Sequence, residues 1–175
     1  MSCYFSVCST YNYQQQYMDF LLAHYSDLNL LYPFPVSLSY IASPLLMEGT
    51  AVLCFDDEDQ LSGAFGYIHG TGEQDYKDRH VIQLQVAYIV EHHRSTRMFY
   101  EALQFLVSHL SDQEEERVEE IRFWIPGEPR TRRLCSRFAD LLSTVDQTQG
   151  CLDEYRINVK HLQKYVSTFG TRSLA

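Results

Sequence analysis

Residues 80–110 read HVIQLQVAYIVEHHRSTRMFYEALQFLVSHL, and this stretch decides the fold. Residues 81–90 are a nearly continuous apolar run of strand length, the pattern of a strand covered on both faces at the centre of a sheet. Strand alternation puts Gln83, Gln85 and Ala87 on one face and Ile82, Leu84, Val86 and Tyr88 on the other. Residues 91–96 are a polar turn. Met98, Phe99, Ala102, Leu103, Leu106 and Leu110 then recur at helical spacing, the broad apolar stripe of a helix lying on a sheet. A strand, a short turn and a helix start together make a place where backbone amides and the helix dipole favour an anion. This turn has no glycine, so such a site would rest on amides, the hydroxyls of Ser95 and Thr96, and the charges of Arg94 and Arg97.

Working outward, residues 3–9 alternate as a first strand, and Asn12 is placed to cap a helix carrying Tyr13, Tyr17, Phe20, Leu21 and His24. Two prolines make residues 31–35 a break, and a second helix is predicted over 37–47, bent or ended at Pro44. Residues 50–55 and 61–69, joined by the acidic turn 56–59, read as an antiparallel hairpin. After the central unit, residues 121–125 (IRFWI) are a strand and 130–142 a short amphipathic helix. A last strand is predicted within 155–166, following a polar excursion at 146–153. The order of elements is that of a mixed α/β sheet in one domain over 1–175, with 167–175 a polar tail. It is not a regular βαβ repeat, which argues against a Rossmann fold.

This order, the stretch YIVEHHRSTRMFYEALQFLVSHL and the following IRFWIPGEPRTRRLCSRFADLL resemble the GNAT superfamily of acyl-CoA-dependent N-acyltransferases. Members carry, after the central strand, an Arg or Gln, two variable positions, a Gly, one variable position and a Gly or Ala. Here Arg94 falls on the first position, Arg97 on the first glycine and Phe99 on the second small residue, so the loop is degenerate. The resemblance implies a GNAT-like fold and an acyl-CoA, acetyl-CoA or another, as co-substrate. The pyrophosphate would lie against Arg94, Ser95, Thr96, Arg97, Met98 and Phe99, and the pantetheine arm against the backbone of Tyr88, Ile89 and Val90. It further implies acyl transfer to the amine of a small molecule or peptide by direct attack.

Such transfer needs a polarised thioester carbonyl, an amine that loses its proton and a thiolate that gains one. The family's usual base is a glutamate on the central strand. Here Gln83 and Gln85 occupy that face; glutamine takes no proton at neutral pH, and Gln83 would instead orient a water or the acceptor. Bonding of both glutamines to loop backbone is the structural alternative. The nearest carboxylate, Glu91, lies in the turn, close to where the phosphates would be. The position of the family's acid, a tyrosine in the helix after the fifth strand, corresponds to Cys135 or a residue one or two away. A small buried cysteine is the other reading of that position. Tyr155 and Tyr165 are further acids without matching position. A non-catalytic GNAT-fold module that binds a ligand or protein, and an enzyme using a different donor, stay open beside the acyltransferase reading.

Composition excludes several classes. Lys and Arg total 14 against 23 Asp and Glu, a formal net charge of -9. The best basic cluster, RTRRLCSR at 130–137, is too short for a nucleic-acid footprint in so acidic a chain. No segment approaches the ~18 apolar residues of a membrane span. The first sixteen residues, MSCYFSVCSTYNYQQQ, have neither a basic region nor an apolar run and do not read as a signal peptide. The five cysteines are scattered without a CxxC, which fits reduced thiols in a cytoplasm. His92 and His93 are neighbours, but successive residues of an extended turn diverge, so no metal site is expected. GxSxG, HExxH and Walker-type motifs are missing. Acceptor identity, acyl length and oligomeric state, a homodimer included, carry no sequence signal.

Overall fold

The computed structural model describes residues 3–94 and 97–172. Among the described residues the strands are β1 (Tyr4–Val7), β2 (Gly49–Phe55), β3 (Leu61–His69), β4 (Val81–Ile89), β5 (Glu120–Pro126), β6 (Asp140–Gln147) and β7 (Gly150–Asn158). The α-helices are α1 (Tyr11–Ala23), α2 (Phe34–Leu46), α3 (Arg97–Ser111), α4 (Pro129–Cys135) and α5 (Val159–Arg172). The strands form one sheet in the order β1-β2-β3-β4-β5-β7-β6, with the apolar run of 81–89 in the middle as its pattern predicts. Backbone proximity groups the chain into two compact units, Met1–Ile68 with Leu84–Phe105 and His69–Gln83 with Leu106–Ala175.

In the first unit, β1, β2 and β3 pair antiparallel, and the β2–β3 hairpin falls where alternation and the acidic turn place it. α1 and α2 pack over them through Tyr17, Phe20, Leu21, Ile41, Leu53, Val86 and Tyr88. The cap of α1 differs from expectation: Thr10, not Asn12, stands before the helix, and its hydroxyl accepts the Tyr13 N–H at 3.3 Å. α2 starts earlier than predicted, because Pro33 and Pro35 occupy the cap and first turn, where a fixed φ and a missing N–H cost nothing. Pro44 lies inside α2 without ending it. Its missing N–H would leave the Tyr40 carbonyl unpaired, and the Ser43 hydroxyl donates to that carbonyl at 2.8 Å instead. Gly66 makes this packing close: a Cβ there would lie 2.5 Å from Pro44 and 2.7 Å from the Tyr17 hydroxyl.

In the second unit, β7 pairs with β5 on one side and β6 on the other, both antiparallel. Here the sequence reading is corrected at three places. The helix after β5 stops at Cys135 rather than 142, since Leu141 and Leu142 belong to β6. That strand sits at the sheet's end, and nearly all of its residues are exposed, so it has no buried face to betray a period. The strand predicted within 155–166 ends at Asn158, and residues 159–172 are α5, which takes in much of the expected tail. Asn158 accepts the His161 N–H at 3.2 Å, and Val159, Leu162 and Val166 are buried at helical spacing.

Candidate active site at the end of the central strand

The end of β4 is assembled from β3, α1 and the turn into α3. Val90 N–H donates to the Ser62 carbonyl of β3 at 2.9 Å. By strand alternation the Ile89 N–H and C=O therefore point to the opposite edge. Gly63 permits this approach, since a Cβ there would lie 2.9 Å from the Tyr88 carbonyl oxygen. Residues 91–93 form a 3₁₀ turn, closed by His93 N–H to Val90 O at 2.9 Å and Arg94 N–H to Glu91 O at 3.2 Å.

The two arginines that the sequence singles out flank this turn, each with a partner. Arg94 donates through Nε to the Ile89 carbonyl at 2.8 Å, and its guanidinium lies 5.0 Å over the Tyr88 ring. Arg97, exposed at the first position of α3, pairs with Glu101 one turn on at 2.6 Å. Glu101 also accepts the Cys3 N–H at 3.2 Å. Met98 is buried and serves the packing of α3, and Phe99 is half-buried with its ring edge-on to Tyr100. Ser95 and Thr96 lie outside the described residues.

Tyr88 brings in residues that sequence reasoning did not assign to the site. Its ring is buried against Phe20 and stacks on His24 with centroids 4.9 Å apart. Its phenol lies 3.3 Å from His24 Nδ1 and donates to Asp27 Oδ2 at 3.4 Å. His24 and Asp27 face each other at 3.8 Å across one helical turn. Burial pushes the Tyr88 phenol above its ordinary value, so it stays protonated and donates. A partly exposed imidazole backed by a carboxylate is a pairing suited to general acid–base work. The helical stripe includes His24, but its partners lie three and sixty-four residues away, and only the fold shows the second.

The two residues singled out for chemistry, Gln83 and Cys135, lie in the second unit and outside this cluster. Gln83 is buried in the first half of β4, and Gln85 is half-buried. Cys135 is buried at the end of α4. Burial, with Asp153 adding to it, pushes its thiol up to about 11, which makes it a weaker acid than an ordinary thiol. Beside it the fully buried Asp153 is held by Arg132 through Nε at 2.7 Å and a second nitrogen at 3.0 Å, and by the Thr144 hydroxyl at 2.7 Å. The hydrogen bonds from Arg132 hold this carboxyl below its ordinary value of 3.8. A group with a depressed folded-state value stabilises the fold above its unfolded value and loses that contribution as pH falls. In Arg132→Gln the stability deficit is therefore expected to be full above about pH 4 and to close in more acidic solution, as denaturant titrations at stepped pH would show.

The fold is similar to that of solved acetyltransferases. An acetyltransferase of the GNAT family from Staphylococcus aureus Mu50 superposes with a TM-score of 0.63 at 12% identity, over 90% of this chain and 99% of its own. The chain has the GNAT fold. Aminoglycoside acetyltransferase AAC(6')-Ib, solved with coenzyme A and kanamycin, shares the GNAT fold with a TM-score of 0.63 at 14% identity, over 93% of this chain and 98% of its own. SpeG spermidine N-acetyltransferase from Vibrio cholerae gives 0.62 at 8% identity, over 91% and 96%. No family model matches the sequence, and no curated protein matches it either. At these identities the likeness is one of fold alone. No helix among the described residues is long and apolar enough to cross a membrane.

Proposed function

We propose that this chain is an acyl-CoA-dependent N-acyltransferase that passes an acetyl or other acyl group directly to an amine. The observation that carries it is a cationic helix start on a GNAT fold: α3 leaves the central strand through a tight turn flanked by two exposed arginines. The chemistry of these donors fits a pyrophosphate. Guanidinium groups bind phosphate oxygens in pairs, and the first amides of a 15-residue helix add to the field. In this reading Arg94 leaves the Ile89 carbonyl and turns to phosphate, freeing that carbonyl for an amide of the pantetheine arm. Arg97 shares its charge between Glu101 and phosphate. Ser95 and Thr96 complete the same stretch. Amine deprotonation falls to His24, with Asp27 stabilising the imidazolium and the Tyr88 phenol fixing the ring. Gln83 and Cys135 remain the sequence-derived choices for orienting the acceptor and protonating the thiolate. The raised thiol of Cys135 counts against it as the proton donor, since it gives up its proton less readily than an ordinary thiol.

A specific observation favours a second reading, a non-catalytic ligand-binding module. Both arginines already have intramolecular partners, and the expected base face of β4 holds Gln83, Gln85 and Ala87 in place of a carboxylate. Thiol release from acetyl-CoA, followed across spermidine, kanamycin, tyramine and a lysine peptide, separates the two readings. Amine-dependent release is expected of the enzyme. Binding of acetyl-CoA without release in any mixture would assign the chain to the module. The one-domain reading of 1–175 goes with either proposal, supported by the unit divisions, which cut β3, β4 and α3 rather than linkers.

A further inference from the structure

Residues 91–94 are tied to the β2–β3 hairpin by a side-chain contact. His93 Nε2 lies 3.3 Å from Asp56 Oδ2. Asp56 is buried, and its carboxylate is fixed from three other directions. It accepts the Gln60 N–H at 2.9 Å, the Glu58 N–H at 3.0 Å and the Ser62 hydroxyl at 2.9 Å. The Gln60 amide first, then Ser62, Glu58 and His93, hold this carboxyl below its ordinary value. Ser62 belongs to both sides of the contact, because its own carbonyl takes the Val90 N–H where β4 ends. His93 is thus the point where a rigid hairpin turn grips the short segment between the central strand and Arg94.

A glycine-free turn cannot adjust its backbone to a ligand as freely as a glycine-rich one. It must be held in place beforehand, and the energetic value of a binding loop lies largely in such preorganisation. We propose that Asp56 and His93 form a clamp that positions the β4–α3 turn for the anionic end of the acyl donor, His93 acting as a positioning residue that does not itself touch the donor. This rests on the acyl-CoA reading above.

Titration calorimetry of acetyl-CoA into the full chain tests it, with His93→Ala, His93→Gln and Asp56→Asn beside the unaltered protein. His93→Ala is expected to raise Kd by about 10-fold, the scale of one lost hydrogen bond to a charged group. In His93→Gln the amide nitrogen can reach the same carboxylate, so Kd is expected to return to within about 3-fold of the unaltered value. Asp56→Asn is expected to weaken binding as His93→Ala does. Amide hydrogen exchange at residues 91–94 of the free protein is read on the same variants, and should quicken in His93→Ala and recover in His93→Gln. Equal affinity in His93→Ala and the unaltered protein overturns the clamp while leaving the acyl-CoA reading standing. Equal weakness of the Ala and Gln variants also overturns it, as does unchanged exchange. Failure of the unaltered protein to bind acetyl-CoA overturns the acyl-CoA reading and the donor-positioning role with it, even if the exchange data show the turn to be pinned.

Discussion

Alanine at position 17 is expected to lower unfolding stability by about 4 kcal/mol, the range for removing a large aromatic side chain from a core. Tyr17 is fully buried, and its ring fills the space where α1, α2 and β3 meet. Its hydroxyl donates to the Ile41 carbonyl of α2 at 3.0 Å and sits close enough to Gly66 to exclude a Cβ there. Tyr17→Phe removes only the hydrogen bond, from a carbonyl already in a helix, and is expected to cost about 1 kcal/mol. Urea unfolding of both variants, compared at equal m-values, measures the difference. The effect reaches the site through geometry. Tyr17, Phe20 and Leu21 share one face of α1 and His24 caps its end, so the packing that buries Tyr17 also sets where His24 meets Tyr88. Tyr17→Ala therefore loosens the proposed proton acceptor along with the core.

His24→Ala is expected to lower kcat for amine-dependent thiol release by about 100-fold, the lower end for loss of a general base. That corresponds to about 2.7 kcal/mol of barrier. The affinity for acetyl-CoA should stay within about 2-fold, because the partners described for His24 are Phe20, Tyr88 and Asp27 rather than the arginines proposed to hold the phosphates. Asp27→Asn should fall between the unaltered protein and His24→Ala, since it removes the charge that stabilises an imidazolium but leaves the imidazole. The discriminating readout is the split between rate and affinity: kcat should fall in His24→Ala while the Kd for acetyl-CoA holds, and Asp27→Asn should keep more of the rate. Unchanged kcat in His24→Ala would remove His24 from the reaction and return the role to a water held by other groups.

The parts of this molecule legible in its sequence are those whose period is strong. Residues 81–89 carry a nearly continuous apolar run and 97–111 an apolar stripe, and an acidic turn joins β2 to β3, so their bounds fall within a residue or two of expectation. β6 is exposed along nearly its whole length, so DLLSTVDQ offers no alternation, and its two leucines extended a helix reading instead. α5 was hidden for the opposite reason: Tyr155 and Ile157 of β7 run straight into Val159, Leu162 and Val166, and the change of period is marked only by Asn158. In the site, Arg94 and Arg97 could be named because they are adjacent to the turn. His24, Asp27 and Asp56 could not, because their roles depend on partners such as Tyr88 and His93, brought close only by register and packing. A carboxylate in a polar stretch gives no sign that it will be buried.

The most direct test of the central claim is calorimetric titration of acetyl-CoA into the intact chain, with Arg94→Ala and Arg97→Glu alongside. Saturable binding at one site per chain is expected, weakened about 10-fold in Arg94→Ala and more in Arg97→Glu, which replaces a phosphate-binding cation with an anion. Binding insensitive to both substitutions would move the phosphates away from the turn before α3. An intact chain that shows no binding would contradict the acyl-CoA reading itself.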